Sequence, residues 1–253
     1  MARQLSLVFG NRHGGRRKGA GRNPKGAQAG VKHRPRPEFV RRTPVLVTQR
    51  IGADCPSLRR SEVLAIFRRL VVKLSDETFA VVHWSLQTTH FHAVVEAQDS
   101  VVLARKLGGF LAQLAKQLNR HWKRSGKVFP DRFEARVLAS PTVVRAALVY
   151  TLGNARKHGS WFGRGPDPYS SGIVWSGWAD WCAQSSGLPE ARTWLLRVGW
   201  RKLGPLSTLA GPKSEQDPWE EAERRRRMRR RTQRPRRALA RPKPPPRAEA
   251  RAR

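Results

Sequence analysis

The sequence predicts an α+β domain of ferredoxin-like topology, in which two helices cover one face of a four-stranded antiparallel sheet. Short stretches of period-two alternation rich in β-branched and aromatic residues indicate strands, and apolar residues at i, i+3 and i+4 indicate helices. These segments follow the order β-α-β-β-α-β, which is the split βαβ arrangement. One more helix comes after the sixth segment, so we expect it to lie against the sheet face that the first two helices leave open.

The first half of the domain contains a strand, a helix and two further strands. The first strand is predicted over residues 45–50, where both faces of the segment carry apolar and polar residues. Ser61 is expected to cap a helix whose apolar positions continue to Leu74. Branched and aromatic residues predict a second strand over Thr78–Gln87. A two-residue connection then leads into a third strand over His90–Glu96.

The second half contains a long helix, a strand and the additional helix. Ser100 is expected to cap the long helix, and Gly108-Gly109 in its middle predicts close packing or a bend, because each glycine costs about 1 kcal/mol relative to alanine. The fourth strand is predicted over Phe133–Ala139. Ser140-Pro141 supplies a cap and a first-turn proline, so a helix is predicted from there to about Lys157.

Positive charge is concentrated at the two ends of the chain. The 253 residues carry a net charge of +33, of which residues 1–42 contribute +11 and residues 222–253 contribute +13. Both segments lack apolar periodicity, so we expect disordered basic arms around a domain over 43–159 and an accessory region over 160–221. A chain this basic is expected to bind polyanions, nucleic acid above all, although the arms alone are also compatible with a solubilising role.

Other features exclude several classes of protein. Cys55 and Cys182 lie far apart, so neither a disulfide framework nor a four-cysteine zinc site is expected. The sequence contains no signal peptide and no apolar run long enough to cross a membrane. We therefore expect a cytoplasmic protein, associated with the nucleoid, that has no membrane partner.

Four side chains form a candidate site. His90 and His92 flank Phe91 on the predicted third strand, so both imidazoles point to the same face. Tyr150 and Asn154 are spaced i,i+4 and share one face of a helix. Two imidazoles and one amide oxygen leave open coordination positions and suit Mg²⁺ or Mn²⁺, while a nearby phenol can attack a phosphate. Taken singly, the histidines could be packed or solvated and the tyrosine could be a core aromatic.

The motifs that hold these residues resemble those of the REP-associated tyrosine transposases, a branch of the single-tyrosine HUH transposase-like family. TTHFHAVVEA contains His90 and His92, and YTLGNARKHG begins at Tyr150. The segment KVFPDRFEAR, over Lys127–Arg136, is also similar to a turn of the family. The resemblance extends over roughly residues 44–159. Two positions differ from the family: Thr89 precedes the first histidine where the family commonly has Asn, and Ala155 follows Asn154 where it commonly has Pro.

The resemblance implies an enzyme that nicks and rejoins single-stranded DNA at hairpin-forming repeats. His90, His92 and Asn154 would bind the divalent metal, and Tyr150 would form a 5′-phosphotyrosine bond. Its partner would be single-stranded or hairpin DNA. The protein could act as a monomer or as a dimer. The basic side chains inside the same motifs are candidate DNA contacts: Arg132, Arg136, Arg156, Lys157 and His158.

The sequence is compatible with other functions as well. A non-catalytic nucleic-acid-binding protein could retain the same fold, whereas a zinc hydrolase is disfavoured because no third His, Cys or acidic ligand stands at a useful spacing. Tyr169 is the rival nucleophile, but its proline-flanked loop offers no partner at helical spacing. Seven of the nine tryptophans lie in the accessory region, where packing as a small hydrophobic subdomain is favoured over stacking on unpaired bases.

Overall fold

The computed structural model describes residues 37–183 and 189–211, and its elements follow the predicted order. Most of the basic arms therefore lies outside the described residues, as does Trp219. The strands and helices are, in chain order, β1 (Thr43–Arg50), α1 (Ser61–Leu74), β2 (Phe79–Leu86), β3 (His90–Ala97), α2 (Ser100–His121), β4 (Glu134–Val137), α3 (Pro141–Leu152), α4 (Asn154–Lys157) and α5 (Trp194–Arg197), with short 3₁₀ helices at Ser171–Val174 and Gly199–Leu203.

The four strands form one antiparallel sheet in the order β2-β3-β1-β4. The two central strands, β1 and β3, pair along their whole length, whereas β4 is a four-residue edge strand. This strand order, together with the order of elements along the chain, defines a ferredoxin-like α+β fold. The predicted fold class is confirmed.

The two faces of the sheet bury different side chains. Phe91, Ala93 and Val95 pack into a cluster with residues of α1 and α2, and we call this the α1/α2 face. Val94 packs on the other side with residues of α3 and with buried tryptophans, and we call this the α3 face. The period-two alternation predicted for β3 is therefore confirmed, and the additional helix covers the face that α1 and α2 leave open.

Two of the predicted helix caps are wrong by one residue. Ser61 is the first residue of α1 and makes no capping hydrogen bond. The cap of α2 is Asp99, whose carboxylate accepts from the backbone N–H of Val102 at 2.7 Å, and Ser100 is the first helical residue. Asp and Ser both have the acceptor that a cap needs, so adjacent residues of this kind compete for the same position.

The last predicted helix begins as expected but is interrupted. Ser140 accepts from Val143 at its start, with Pro141 in the first turn. The segment predicted to run unbroken to Lys157 is divided at Gly153 into α3 and α4. A Cβ atom at Gly153 would lie 2.6 Å from the carbonyl oxygen of Ala210, so the close approach of another segment requires a glycine there.

The close packing predicted at Gly108-Gly109 is not found. A Cβ atom at either position would meet no atom within 4 Å among the described residues, and α2 continues through both glycines without interruption. Gly108 instead borders an open groove beside the chain that leads into β4.

The accessory region packs on the α3 face. Trp175, Trp178 and Trp200 are buried there, and the ring of Trp175 lies 5.0 Å from each of the other two. This supports the interpretation that the region is a small hydrophobic subdomain, although Trp194 keeps 51% of its surface exposed. Along residues 37–183 and 189–211, no helix has the length and apolar character needed to span a membrane.

Candidate active site

The α3 face brings three predicted site residues into contact. The ring centroids of His90 and His92 are 4.8 Å apart at an interplanar angle of 75°, so both imidazoles lie on the same side of β3 as predicted. The ring of Tyr150, in the last turn of α3, is also 4.8 Å from that of His92. His92 therefore lies between the second histidine and the tyrosine, and only 2% of it is exposed.

Thr48 orients the central histidine. It lies opposite His92 in the register of β1 and β3, and opposed residues of an antiparallel pair share a face. Its Oγ1 is 2.9 Å from Nδ1 of His92. The other ring nitrogen, Nε2, is buried and has no hydrogen-bond partner among the described residues. The sequence alone does not indicate Thr48, because only the strand register places it beside the histidine.

Asn154 presents a buried amide at the start of α4. It is fully buried, and neither Oδ1 nor Nδ2 finds a hydrogen-bond partner in the part of the chain that the structure describes. A buried amide without partners is destabilising by roughly 1–3 kcal/mol per group, so it calls for an explanation. The unpartnered Nε2 and the unpartnered amide oxygen are both donor types that a divalent metal accepts, so their chemistry suits such an ion, and the metal site stays a prediction.

The electrostatics keep the histidine pair neutral. Burial, with a smaller contribution from the nearby positive charges of His158 and Arg50, lowers the pKa of His90 to about 4. Burial also holds the pKa of His92 well below its ordinary value, and the charge of His90 adds to this effect. Both imidazoles are therefore uncharged at neutral pH, the form in which histidine binds a metal.

Two of the predicted DNA contacts lie beside the site. The ring of His158 is 5.6 Å from that of His90, and Nζ of Lys157 is 5.6 Å from the centroid of the Tyr150 ring. Both side chains are exposed. Their positions are compatible with contacts to a phosphate backbone at the entrance to the site, and the DNA-binding role stays a prediction.

The three arginines predicted to contact DNA are placed differently. The guanidinium of Arg156 donates to the carbonyl oxygens of Thr208, Gly163 and Gly165 at 3.0, 2.7 and 2.8 Å, so it holds the accessory region in place. Arg136 of β4 lies opposite a residue of the α3-face cluster. Arg132 is exposed and borders the groove beside α2, away from the histidine pair.

The rival tyrosine is built into another part of the structure. Tyr169 packs against the α1/α2-face cluster, and the guanidinium of Arg59 lies 4.6 Å from its ring centroid. Arg59 is itself paired with buried Asp167 at 2.8 Å. This arrangement gives Tyr169 a packing role and favours Tyr150 as the nucleophile.

Within residues 37–183 and 189–211, no group of three or more His, Cys, Asp or Glu side chains is arranged to hold a metal ion. The predicted set contains only two residues of these types and takes an amide oxygen as its third donor. Asn154 is thus the residue on which the predicted metal site depends.

Comparisons with known proteins give distant structural matches. No protein-family model and no curated protein matches the chain. The structure of a REP-associated tyrosine transposase bound to a REP hairpin is 14% identical with a TM-score of 0.45, over 64% of this chain and 100% of that one. A putative transposase from Deinococcus radiodurans R1 is 12% identical with a TM-score of 0.34, over 49% of this chain and 95% of that one.

The first of these structures belongs to the family that the sequence motifs resemble. The fold and the site together define a ferredoxin-like domain that carries a histidine pair and a tyrosine on its α3 face.

Proposed function

We propose that the protein is a metal-dependent enzyme that nicks and rejoins single-stranded DNA, with Tyr150 as its nucleophile. The contact of His92 with both His90 and Tyr150 is the observation that carries this proposal. A phenol ring thus lies against a buried imidazole whose Nε2 has no partner among the described residues, and the amide of Asn154 lacks partners there as well. Core packing alone does not explain such an arrangement, because unpartnered polar atoms are destabilising.

His90, His92 and Asn154 would hold the metal, and Mg²⁺ or Mn²⁺ suits this donor set. When bound, an ion of this kind polarises a phosphoryl oxygen and aligns the phosphate for attack. Thr48 would orient His92 by accepting the proton of Nδ1, which leaves the lone pair of Nε2 directed away from β1.

Tyr150 would perform the covalent step. Its hydroxyl oxygen forms a bond to the scissile phosphorus and loses its proton, while the bond between phosphorus and the 3′ oxygen breaks. The departing oxygen takes up a proton and leaves as a 3′-hydroxyl, so the 5′ end of the strand stays on the tyrosine. Attack by another 3′-hydroxyl reverses the step and rejoins DNA. Lys157 places a positive charge near the ring, which favours the developing negative charge on the phenol oxygen.

The charge of the chain and its motifs suggest the substrate. A net charge of +33 favours binding to a phosphate backbone. On the resemblance of the motifs, we propose single-stranded DNA that contains hairpin-forming repeats. The alternative function is that of a non-catalytic DNA-binding protein. Such a protein would use the same positive charge to bind DNA but would not cleave it.

The proposal is tested by incubating the full chain with an end-labelled DNA hairpin that has unpaired flanks, in the presence of Mn²⁺, and separating the products on a denaturing gel. We expect a covalent protein–DNA band that is lost in Tyr150→Phe and retained in Tyr169→Phe. Tyr150→Phe keeps the ring against His92, so DNA affinity and melting temperature should stay near wild type. If wild type forms no adduct with strands that it binds tightly, the alternative is correct.

A further inference from the structure

A groove lies beside α2, on the other side of the sheet from the histidine pair. Its volume is about 330 Å³, which is at the lower end of the range for small-molecule sites. Gly108 of α2 borders it on one side, Phe129 and Phe133 border it on the other, and Gln49 of β1 also lines it. We call it the α2 groove. Gln49 pairs with Phe91 in the strand register, which places it on the α1/α2 face.

Gln49 contributes an acceptor that lacks a donor. It is 2% exposed, and its Nε2 donates to the carbonyl oxygens of Arg50 and Asp131 at 3.0 and 3.2 Å. Two carbonyl acceptors fix the orientation of the amide, so the remaining atom is the oxygen. This Oε1 is buried and unpartnered among the described residues. A ligand in the groove can supply the missing donor.

The walls and the rim of the α2 groove indicate the chemistry of that ligand. Phe129 is half-buried and offers an aromatic surface, while the absence of a side chain at Gly108 leaves room for a flat group. Lys127 and Arg132 are exposed at the rim, beside the carboxylate of Asp131. An aromatic surface, a buried hydrogen-bond acceptor and flanking cations together match a nucleotide, which has a planar base with N–H donors and an anionic phosphate.

We infer that the α2 groove binds one unpaired base of the DNA. The base stacks against Phe129, an N–H of its Watson–Crick edge donates to Oε1 of Gln49, and adjacent phosphates lie against Lys127 and Arg132. The strand would then contact both faces of the sheet, with its reacting phosphate at Tyr150 on the α3 face. This inference rests on the proposed function for the identity of the substrate as single-stranded DNA.

Two neighbouring glycines provide a matched test. Gly108 and Gly109 both have open space where a Cβ would lie, but only Gly108 borders the groove. Gly108→Leu should therefore fill the groove, and Gly109→Leu should leave it unchanged. In buffer with EDTA, we expect Gly108→Leu to weaken binding of a hairpin with an unpaired flank on the order of tenfold, with no change for a blunt hairpin. Gly109→Leu should bind both as wild type does.

A scan of abasic positions along the flank identifies the bound base. In wild type, one abasic position should weaken binding by a similar factor, and in Gly108→Leu the same position should have no further effect. Gln49→Met, which keeps the length of the side chain but removes the acceptor, should also weaken binding of the intact flank. A melting temperature near that of wild type would show that Gln49→Met loses DNA affinity and not the fold.

The inference is overturned if no abasic position matters in wild type, or if Gly108→Leu binds the flanked hairpin as tightly as wild type. It is also overturned if Gly108→Leu changes the mass of the protein in solution, because the groove would then be an interface between copies of the chain. Affinity in EDTA does not depend on cleavage. A protein that forms no covalent adduct but shows the abasic effect would refute the proposed chemistry and leave the base site standing.

Discussion

Phe91 and His92 are neighbours on β3, but their side chains point to opposite faces of the sheet. The two side chains have different kinds of neighbours. Phe91 packs edge-on against Phe67 at 5.2 Å within an apolar cluster. His92 contacts another histidine and a tyrosine, and its buried Nε2 lacks a partner among the described residues. Burial of apolar surface stabilises the fold, whereas burial of an unpartnered imidazole opposes it. Phe91 on the α1/α2 face therefore contributes to stability, whereas His92 on the α3 face opposes it and belongs to the site to which we assign the chemistry.

The largest effect should come from removing the histidine pair. Replacing His90 and His92 together by alanine should abolish DNA cleavage, because the proposed metal would lose two of its three ligands, while DNA affinity stays within a few-fold. A cleavage assay beside a binding titration measures the two effects. His83→Phe is the matched control, since His83 is also a buried histidine but contacts Trp175, and it should retain cleavage.

The opposite pattern should follow a substitution on the α1/α2 face. Phe91→Ala removes a side chain that is 1% exposed and leaves a cavity, so it should destabilise the fold by about 3–5 kcal/mol. Denaturant unfolding measures this change. The protein that remains folded should form the DNA adduct at the wild-type rate. A selective loss of adduct formation with little loss of stability would show that the two faces are not divided as we describe.

Thr48 tests the orientation of His92. Thr48→Val removes the hydroxyl that contacts Nδ1 and keeps the shape of the side chain, so Mn²⁺ affinity measured by calorimetry should fall about 10–100-fold. Thr48→Ser retains the hydroxyl and should bind Mn²⁺ nearly as wild type does. Equal affinities for all three proteins would mean that the hydrogen bond does not orient a metal ligand.

Acid should destabilise the α3 face through His83. Burial lowers its pKa from 6.5 to about 3, so the folded state keeps it neutral where the unfolded state takes up a proton. Stability is then fully present above pH 6.5 and is lost as the pH falls toward 3, at up to about 1.4 kcal/mol per pH unit. Unfolding titrations across this window should show a shallower loss for His83→Phe. An unchanged slope would contradict this assignment.

Features with a local pattern could be predicted from the sequence. The alternation of Phe91 with the two histidines sets their faces, because the side-chain period of a strand is two whatever surrounds it. The start of α3 follows from Ser140-Pro141, which satisfies the requirements of a helix start without help from distant residues. The order of elements, and with it the fold class, follows from such local signals.

Features that depend on distant segments could not be predicted. Thr48 reaches His92 only through the register of β1 and β3, and the close approach of Ala210 to Gly153 joins residues far apart in the sequence. The place of Arg156 in the motif predicts a DNA contact, but carbonyl groups of the accessory region accept three of its hydrogen bonds. The unpartnered amide of Asn154 is likewise a property of the packed molecule.

The central claim is that Tyr150 on the α3 face attacks DNA. It is tested most directly by trapping the covalent adduct with a labelled hairpin and Mn²⁺, digesting the protein, and identifying the DNA-linked peptide by mass spectrometry. We expect a single modified peptide with the DNA on Tyr150, and none in the chain with Tyr150→Phe. DNA on Tyr169, the other tyrosine of the chain, or an adduct that persists in Tyr150→Phe would contradict it.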